Sequence, residues 1–254
     1  MKKILLGATA LVAIGITAPA SAADLGARPY TKAPPPYIEP MYNWSGFYVG
    51  LNGGGGSSRK CWDNTVFFGF VHPAVAEGCH DATGGTVGGQ IGYRWQSSAW
   101  VFGLEAQGNW ADFKGSNASL QLFGVPSNRS TVNGLGLFTG QVGYAWNNAL
   151  LYVKGGAAVT SDKYQGFFTA TNIVFDNASE TRWGGVIGAG LEYGFAPNWS
   201  VGIEYDHLFM GTRSVGFTTV IIPFADRTDR ISQDVDMGTV RLNYRFGGPA
   251  VARY

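Results

Sequence analysis

Charged side chains alternate with apolar ones in several short segments of this chain. Glu204 and Asp206 lie two positions apart between apolar residues, and Arg241 and Arg245 lie four apart in a later segment with the same alternation. In a β-strand this spacing places the charges on one face. Charges that share an enclosed space must pair, because an unpaired buried charge is costly. The predicted ion-pair layer consists of Arg94, Glu105, Lys154, Glu192, Glu204, Arg241 and Arg245.

Residues suited to catalysis or metal binding are few. The chain has 3 His, and the sequence places no Ser or Cys recognisably beside a base and a group that orients it. Cys61, Cys79, His72 and His80 match no zinc-binding spacing. Gly53–Gly56 lacks the Lys-Ser/Thr that follows a phosphate-binding loop. We therefore predict no catalytic residue, no metal and no cofactor, with a hydrolase as the enzymatic alternative.

The composition indicates a folded protein with little polar surface. Gly accounts for 38 of the 254 residues, and aromatic and charged residues each make up 14%, whereas charged residues usually make up about 25%. The net charge of +1 argues against a nucleic-acid binder held by a strongly basic face. We predict no nucleic-acid partner.

The first part of the chain, residues 1–22, has the pattern of a secretory signal peptide. Lys2 and Lys3 precede an uncharged, mainly apolar run over residues 4–16, and small residues precede the cleavage site. This run is shorter than the ~20 residues of a membrane-spanning helix. A proline-rich leader follows over residues 23–43 and favours extended backbone. We predict a periplasmic spacer, with a cell-wall contact through the leader as the alternative.

Export predicts an oxidising environment for the two cysteines. Cys61 and Cys79 both lie in the first predicted loop. Paired cysteines in exported proteins usually form disulfides. We therefore predict a disulfide between them that stiffens an exposed loop.

From Trp44 onward the hydropathy has period two, which indicates β-strands. Tight connections follow the second, fourth and sixth strands, and the other connections are predicted to be loops of roughly 21 to 30 residues, so that one rim has short turns and the other long loops. The predicted strands cover residues 44–53, 84–95, 100–110, 132–146, 150–160, 182–195, 199–210 and 237–246.

The apolar face of these strands is too bulky for the inside of a barrel. It carries roughly 32 large side chains, and an eight-stranded barrel is only just wide enough to be filled by side chains. The apolar face must then point outward, which only lipid tolerates. The predicted fold is all-β, an eight-stranded antiparallel transmembrane β-barrel with an up-and-down meander over residues 44–246. A soluble lipocalin-type barrel is the alternative.

Aromatic residues at the strand ends predict where the barrel meets the membrane surfaces, because their rings prefer the interface. The girdle at the short-turn rim consists of Trp95, Trp100, Trp146, Trp199 and Phe246, and the opposite girdle consists of Trp110 and Trp183.

Inside the barrel, neighbouring strands predict the ion-pair partners. Glu204 is predicted to pair with Arg241, and Lys154 with Glu192. Leu135 and Leu137 fall on the same inward face, either as apolar filler or because the register slips there. The charged layer is predicted to be a plug that fills the lumen, with a gate whose pairs rearrange as the alternative.

Two segments carry a family resemblance. Residues 43–50 (Asn-Trp-Ser-Gly-Phe-Tyr-Val-Gly) and 238–246 resemble the small porin-like outer-membrane β-barrel family of alphaproteobacteria, related to opacity-type barrels and the OmpA transmembrane domain. The likeness covers almost the whole chain. It implies a surface-exposed protein of the cell outer membrane that the barrel-assembly machinery inserts. Some relatives are surface antigens and some are described as haem-binding. The tail over residues 247–254 departs from the family pattern, which usually ends at the last aromatic of the barrel.

Together these features predict an integral outer-membrane protein with a structural or surface role and at most a narrow passive pore. The alternative is a surface receptor or adhesin that binds a ligand, such as haem or a host protein, through residues 54–83 and 211–236. The expected partners are outer-membrane lipid, lipopolysaccharide and, during insertion, the barrel-assembly machinery.

Overall fold

The part of the chain that the structure describes forms a closed barrel of eight antiparallel strands in the order of the sequence. The structure is a computed structural model that describes residues 42–120, 125–219 and 227–247. The predicted signal peptide, most of the predicted leader and nearly all of the predicted tail lie outside these residues. The strands are β1 (Gly46–Phe67), β2 (Phe70–Ser97), β3 (Trp100–Ala118), β4 (Pro126–Trp146), β5 (Ala149–Phe168), β6 (Val174–Ala196), β7 (Trp199–Thr219) and β8 (Arg227–Phe246). In the described residues, no helix is both long enough and apolar enough to cross a membrane.

Each strand pairs with its neighbours in the chain, and β1 pairs with β8 to close the barrel. Closure satisfies the backbone groups that an edge strand would expose, which is essential in lipid. The short turns at 98–99, 147–148 and 197–198 define one rim, which we call the periplasmic rim. Ser98 and Asn147 adopt positive φ values of 56° and 53° there, as tight hairpins with primed turns require.

The prediction of four long loops at the other rim was wrong. Residues 54–83 and 211–236 are mostly strand, and β1 joins β2 through the two residues 68–69. The strands continue beyond the membrane, where the outer face meets water and is polar. The two faces of each strand differ less in hydropathy there. The period-two pattern therefore ends, although the hydrogen-bonded pairing of the strands continues.

Side-chain burial alternates along every strand as a lipid-facing barrel requires. Trp100 and Trp110 at the two ends of the apolar stretch of β3 are 52% and 79% exposed, whereas the intervening Glu105 is 5% exposed. Ten residues at ~3.4 Å each, tilted by ~40°, rise about 26 Å, close to the ~25 Å apolar band of such barrels. The membrane-spanning half therefore extends from the periplasmic rim to the level of Trp110 and Trp183, and the rest of the barrel is its extracellular half.

Candidate functional site

Arg241 is the centre of the charged layer inside the membrane-spanning half. Its guanidinium group contacts the carboxylates of both Glu105 and Glu204. The Tyr48 hydroxyl donates to Glu105 (2.7 Å) and the Tyr152 hydroxyl donates to Glu204 (2.6 Å). Each carboxylate thus receives a charged and a neutral donor, the arrangement that compensates for burying a charge. The predicted neighbours Glu204 and Arg241 are in contact.

Lys154 takes partners other than the one predicted for it. Its ammonium group lies 2.7 Å from Glu204, 3.1 Å from Asp206 and 3.6 Å from Glu105, and the prediction that it pairs with Glu192 was wrong. In the strand register Lys154 is opposite Gly188, four residues from Glu192. The stagger between tilted strands therefore separates two residues that a count from the turns places at one height.

Arg94 is the partner of Glu192. Its guanidinium group donates to the Glu192 carboxylate over 2.8 Å and lies 4.5 Å from the centre of the Tyr48 ring. Arg245 makes no ion pair with a described residue. It donates to the Pro197 carbonyl (2.9 Å) and stacks over the Tyr42 ring at the periplasmic mouth.

Two lumen glycines make room for the tyrosines of the charged layer. A Cβ atom on Gly92 would lie 2.5 Å from the end of the Tyr48 side chain, and one on Gly190 would lie 2.4 Å from Tyr152. Because these contacts involve buried rings held by carboxylates, a larger residue at either position would displace a donor of the layer.

The residues that precede β1 pack into the periplasmic mouth of the barrel. Trp44 is 1% exposed and packs with Tyr42, Leu150 and Tyr152. The Trp44 amide donates to the Gln96 side chain (2.8 Å), which anchors the segment to β2. The predicted first strand, which started at Trp44, therefore begins two residues too early.

An apolar layer lies above the charged layer. Phe113, Leu137 and Leu208 are at most 1% exposed and belong to one buried cluster with Leu135. Leu135 and Leu137 thus fill the lumen. An apolar section on top of the charges keeps water from the extracellular side away from the ion pairs.

A second polar layer, which no strand had been predicted to carry, lies in the extracellular half. Lys60 is buried 2.5 Å from Asp162 and donates to Gln233 (3.0 Å). Burial lowers the pKa of Lys60 to about 8, although Asp162 opposes this effect. The sequence did not predict this layer because residues 54–83, which form the extracellular parts of β1 and β2, resembled a loop.

Arg227 organises the polar side chains near the extracellular rim. Its guanidinium group contacts Glu77 (2.6 Å), Asp229 (2.7 Å) and Asp176 (3.0 Å). Burial raises the pKa of Asp229 to about 6, and the neighbouring Arg227 limits the rise. The sequence contains no local signal for this cluster, because its members come from three strands, β2, β6 and β8.

Ser130, His80 and Asn117 form a constellation that sequence analysis missed. His80 Nε2 lies 3.0 Å from the Ser130 hydroxyl, and its Nδ1 lies 2.7 Å from Asn117 Oδ1. A nucleophile, a base and an orienting group would have this order. The Ser130 side chain has no exposed surface, however, so a substrate carbonyl cannot reach its oxygen.

The outer surface carries the aromatic girdles and the disulfide. Cys61 and Cys79 are directly opposite each other on β1 and β2 and form a disulfide, with their Cα atoms 4.1 Å apart. They lie within a paired hairpin rather than in the predicted loop. All seven girdle residues face outward with 40% to 79% of their surface exposed: Trp95, Trp100, Trp110, Trp146, Trp183, Trp199 and Phe246.

An apolar outer belt, aromatic girdles and paired charges inside the barrel together define a membrane-spanning β-barrel protein. The family model of the outer membrane protein beta-barrel domain matches residues 8–246. The chain is 30% identical over 221 residues to the 31 kDa outer-membrane immunogenic protein of Brucella melitensis, which covers 81% of this chain and 85% of that protein. It is 25% identical over 247 residues to the 25 kDa outer-membrane immunogenic protein of Brucella abortus, with 97% and 99% covered.

Among solved structures, the outer membrane protein OprG from Pseudomonas aeruginosa has a TM-score of 0.51 at 10% identity, covering 82% of this chain and 100% of that chain. This likeness concerns the fold alone. The chain belongs to the outer membrane protein β-barrel family, and its place is the cell outer membrane. The predicted family, fold class and location are confirmed.

Proposed function

We propose that this protein is a structural surface barrel whose lumen is closed, so that it provides at most a narrow passive pore. The observation that supports the proposal is the stack of buried layers along the lumen. Trp44, Arg241, Leu137, Lys60 and Trp62 represent five successive levels, and each is at most 1% exposed.

Energetics favour a plug over a freely rearranging gate. An ion crossing the charged layer would have to separate Arg241 from Glu105 and Glu204, and breaking one buried pair costs about 3–5 kcal/mol. Beyond that layer, it would meet the apolar cluster around Phe113 and Leu137, which offers no replacement for its hydration.

Single-channel recording of the refolded chain in planar bilayers tests this function. A general porin inserted in the same way is the positive control, and Arg230→Ala, which changes an exposed arginine on β8, is the matched variant. We expect no stable conductance from the wild type or from this variant. A stable conductance that Arg241→Ala abolishes would support the gate instead and overturn the plug.

We also propose that the protein is not an enzyme. The buried Ser130 supports this view, since its hydroxyl contacts His80 but has no access to a substrate. Burial also lowers the pKa of His80. A fluorophosphonate probe applied to the refolded barrel should leave Ser130 unlabelled, with Ser130→Ala as the control. Labelling that this substitution removes would identify a hydrolase.

A receptor or adhesin is the second candidate, and the β1–β2 hairpin favours it. From Gly55 the hairpin continues for twelve residues to Phe67, which at ~3.4 Å per residue and ~40° tilt extends about 30 Å beyond the membrane. Its tip exposes 78% of Phe70 and 84% of Val71. Exposed apolar surface of this kind often binds a partner.

Bacteria that display tip variants test the receptor function. If the tip binds haem or a host protein, Phe70→Ser with Val71→Ser should reduce haem retention or adhesion to host cells at least tenfold. Ile173→Ser at the β5–β6 connection, 52% exposed, is the matched control. Equal binding by all three strains would exclude the tip as the binding surface.

Other partners are proposed on the fold alone. Lipid and lipopolysaccharide surround the barrel, and the barrel-assembly machinery inserts it. A contact between the leader and the cell wall is proposed for residues 23–43. Depletion of the assembly machinery should leave the chain unfolded in the periplasm. Deletion of residues 23–41, which keeps Tyr42 in the barrel mouth, should reduce the amount of protein that co-sediments with peptidoglycan.

A further inference from the structure

The outer surface of β3 to β6 has a groove at the extracellular boundary of the membrane. It has a volume of about 490 Å³, and Gly108, Gly136 and Val159 line its lower part, whereas Ser161 and Thr181 lie at its upper end. Trp110, a girdle residue, forms one wall. The groove is therefore apolar toward the membrane interior and polar toward the head groups. We call it the lipid groove.

A second groove adjoins the lipid groove one residue pair closer to the middle of the membrane. It has a volume of about 550 Å³ and is lined by Leu104, Ala106 and Phe138. In the strand register Ala106 pairs with Phe138, directly below the pair of Gly108 and Gly136. The two grooves together form an apolar track in the direction of a lipid acyl chain.

Basic side chains lie directly above the polar end of the lipid groove. Lys114, Thr131 and Lys163 occupy one row across β3, β4 and β5, and all three face outward. Strands are ~4.8 Å apart, so the two lysines leave the barrel about 10 Å apart and their flexible stems can converge on one anion. Arg129 projects outward one row higher.

The charges on this side favour an anion more than those on the opposite side. Lys114 pairs with the exposed Asp112 (2.7 Å), whereas Lys163 forms no ion pair with a described residue, and Arg129 contacts the amide of Asn172. Above β8 and β1, by contrast, Arg59 is opposite both Asp81 and Asp234. Basic residues beside an apolar groove match a lipid with an anionic head group.

We propose that this face binds a phosphorylated lipid of the outer leaflet, of the lipopolysaccharide class. One acyl chain lies in the lipid groove, and a phosphate lies between Lys114 and Lys163. The hydroxyls of Ser161 and Thr181 are placed to donate to the head group. The site is independent of whether the lumen conducts, because all of its residues face outward.

Binding of purified lipid A to the refolded full-length chain in neutral-lipid nanodiscs tests the proposal. Lys114→Gln with Lys163→Gln should weaken binding about 25-fold, since each lysine near an anionic surface contributes roughly a factor of five. Arg59→Gln with Arg230→Gln removes two outward charges on the other side and should change binding less than twofold. Equal loss in both double variants would overturn the proposed site.

The groove itself is tested by filling it. A Cβ atom on Gly108 or on Gly238 would meet no atom within 4 Å, so a side chain can begin at either position without a clash at its Cβ atom. Gly108→Leu should reduce lipid A binding at least fivefold, and Gly238→Leu on β8 should leave it unchanged. No loss on filling Gly108 would exclude the groove, and heat-modifiable gel mobility shows that each variant folds.

Two further probes identify which part of the lipid is recognised. Dephosphorylated lipid A should bind about as weakly as the double lysine variant, whereas equal binding of both lipids would exclude the phosphate contact. Inorganic phosphate at millimolar concentration should not displace lipid A. Displacement at that concentration would indicate a free-phosphate site and overturn the lipid assignment.

Discussion

The membrane-spanning and extracellular halves of the barrel share one hydrogen-bonded ladder and a packed lumen, but their outer faces differ. In the membrane-spanning half the outside is apolar, and the lumen contains the charged layer around Arg241. In the extracellular half the outside is polar, and the lumen holds buried ion pairs of Lys60 and Arg227 together with an apolar cluster of Trp62, Tyr164 and Ile231. The solvent outside thus decides which face must be apolar, while the lumen of both halves needs every polar group paired.

The largest effect should come from removing the central cation of the membrane-spanning half. Arg241→Ala leaves Glu105 and Glu204 without their shared guanidinium group, and the loss of one partner from a buried pair costs about 3–5 kcal/mol. The folded, heat-modifiable form should become markedly less stable to urea. Glu105→Gln with Glu204→Gln in the same chain should restore much of the stability. Unchanged urea unfolding of the single variant would contradict the buried-network account.

In the extracellular half, loss of the disulfide should have a smaller and local effect. Cys61 and Cys79 are separated by 18 residues, and closing a loop of that size contributes ~3 kcal/mol in the chain-entropy model. Cys61→Ser with Cys79→Ser should raise the rate of amide hydrogen exchange in the extracellular hairpin, where β1 ends and β2 begins. Exchange around Arg241 should stay unchanged. Equal loss of protection in both halves would show that they unfold as one unit.

The extracellular half should also respond to pH. The pKa of Asp229 is raised to about 6 by burial, above the ~3.9 expected in an unfolded chain. The folded state therefore binds the extra proton between these values, and its stability falls as the pH rises through about 6. Between pH 5 and pH 7.5 the loss should be about 1 kcal/mol, as follows from 1.36 kcal/mol per pKa unit.

Hydrogen exchange of β8 around Asp229, corrected for intrinsic rates, measures this change. The groups that face Asp229 are Arg227, Asn64 and Glu77, and the variant Asp229→Asn keeps an acceptor for the Asn64 amide. This variant should lose the pH dependence. If the slope persists in it, another group is responsible.

The smallest effect is expected on the lipid-facing surface. The rings of Phe138 and Trp183 stack with their centres 6.3 Å apart, and such pairs contribute ~0.5–1.5 kcal/mol. Trp183→Leu, which keeps an apolar side chain in lipid but removes the ring pair, should lower the stability of the barrel by about this amount without changing its lumen. A loss above 3 kcal/mol would mean that the girdle contributes as much as the charged layer.

Much of the membrane-spanning half could be predicted from the sequence. Strands there alternate because lipid and lumen impose opposite chemistry on neighbouring residues, so Glu105, Lys154, Glu192 and Arg241 were placed on the inward face. The partners were harder to predict. Lys154 contacts Glu204 and Asp206 because the stagger of tilted strands, which a single strand does not encode, sets the heights.

Little of the structure of the extracellular half could be predicted from the sequence. Its strands carry polar side chains on both faces, so residues 54–83 resemble a loop although they form most of a hairpin. The burial of Tyr42 and Trp44 in the barrel mouth could not be predicted either. No local sequence feature distinguishes an aromatic residue that enters the mouth from one that lies at the membrane interface.

By itself the sequence determined the eight-stranded barrel, its inward and outward faces and its two aromatic girdles, because alternation along a strand is a local property that lipid enforces. Only the tertiary structure decided the length of the strands beyond the membrane and the partners of each lumen charge. It also decided that Lys114 and Lys163 lie in one row above the same groove. These depend on strand register and barrel closure, which bring together residues far apart in the chain.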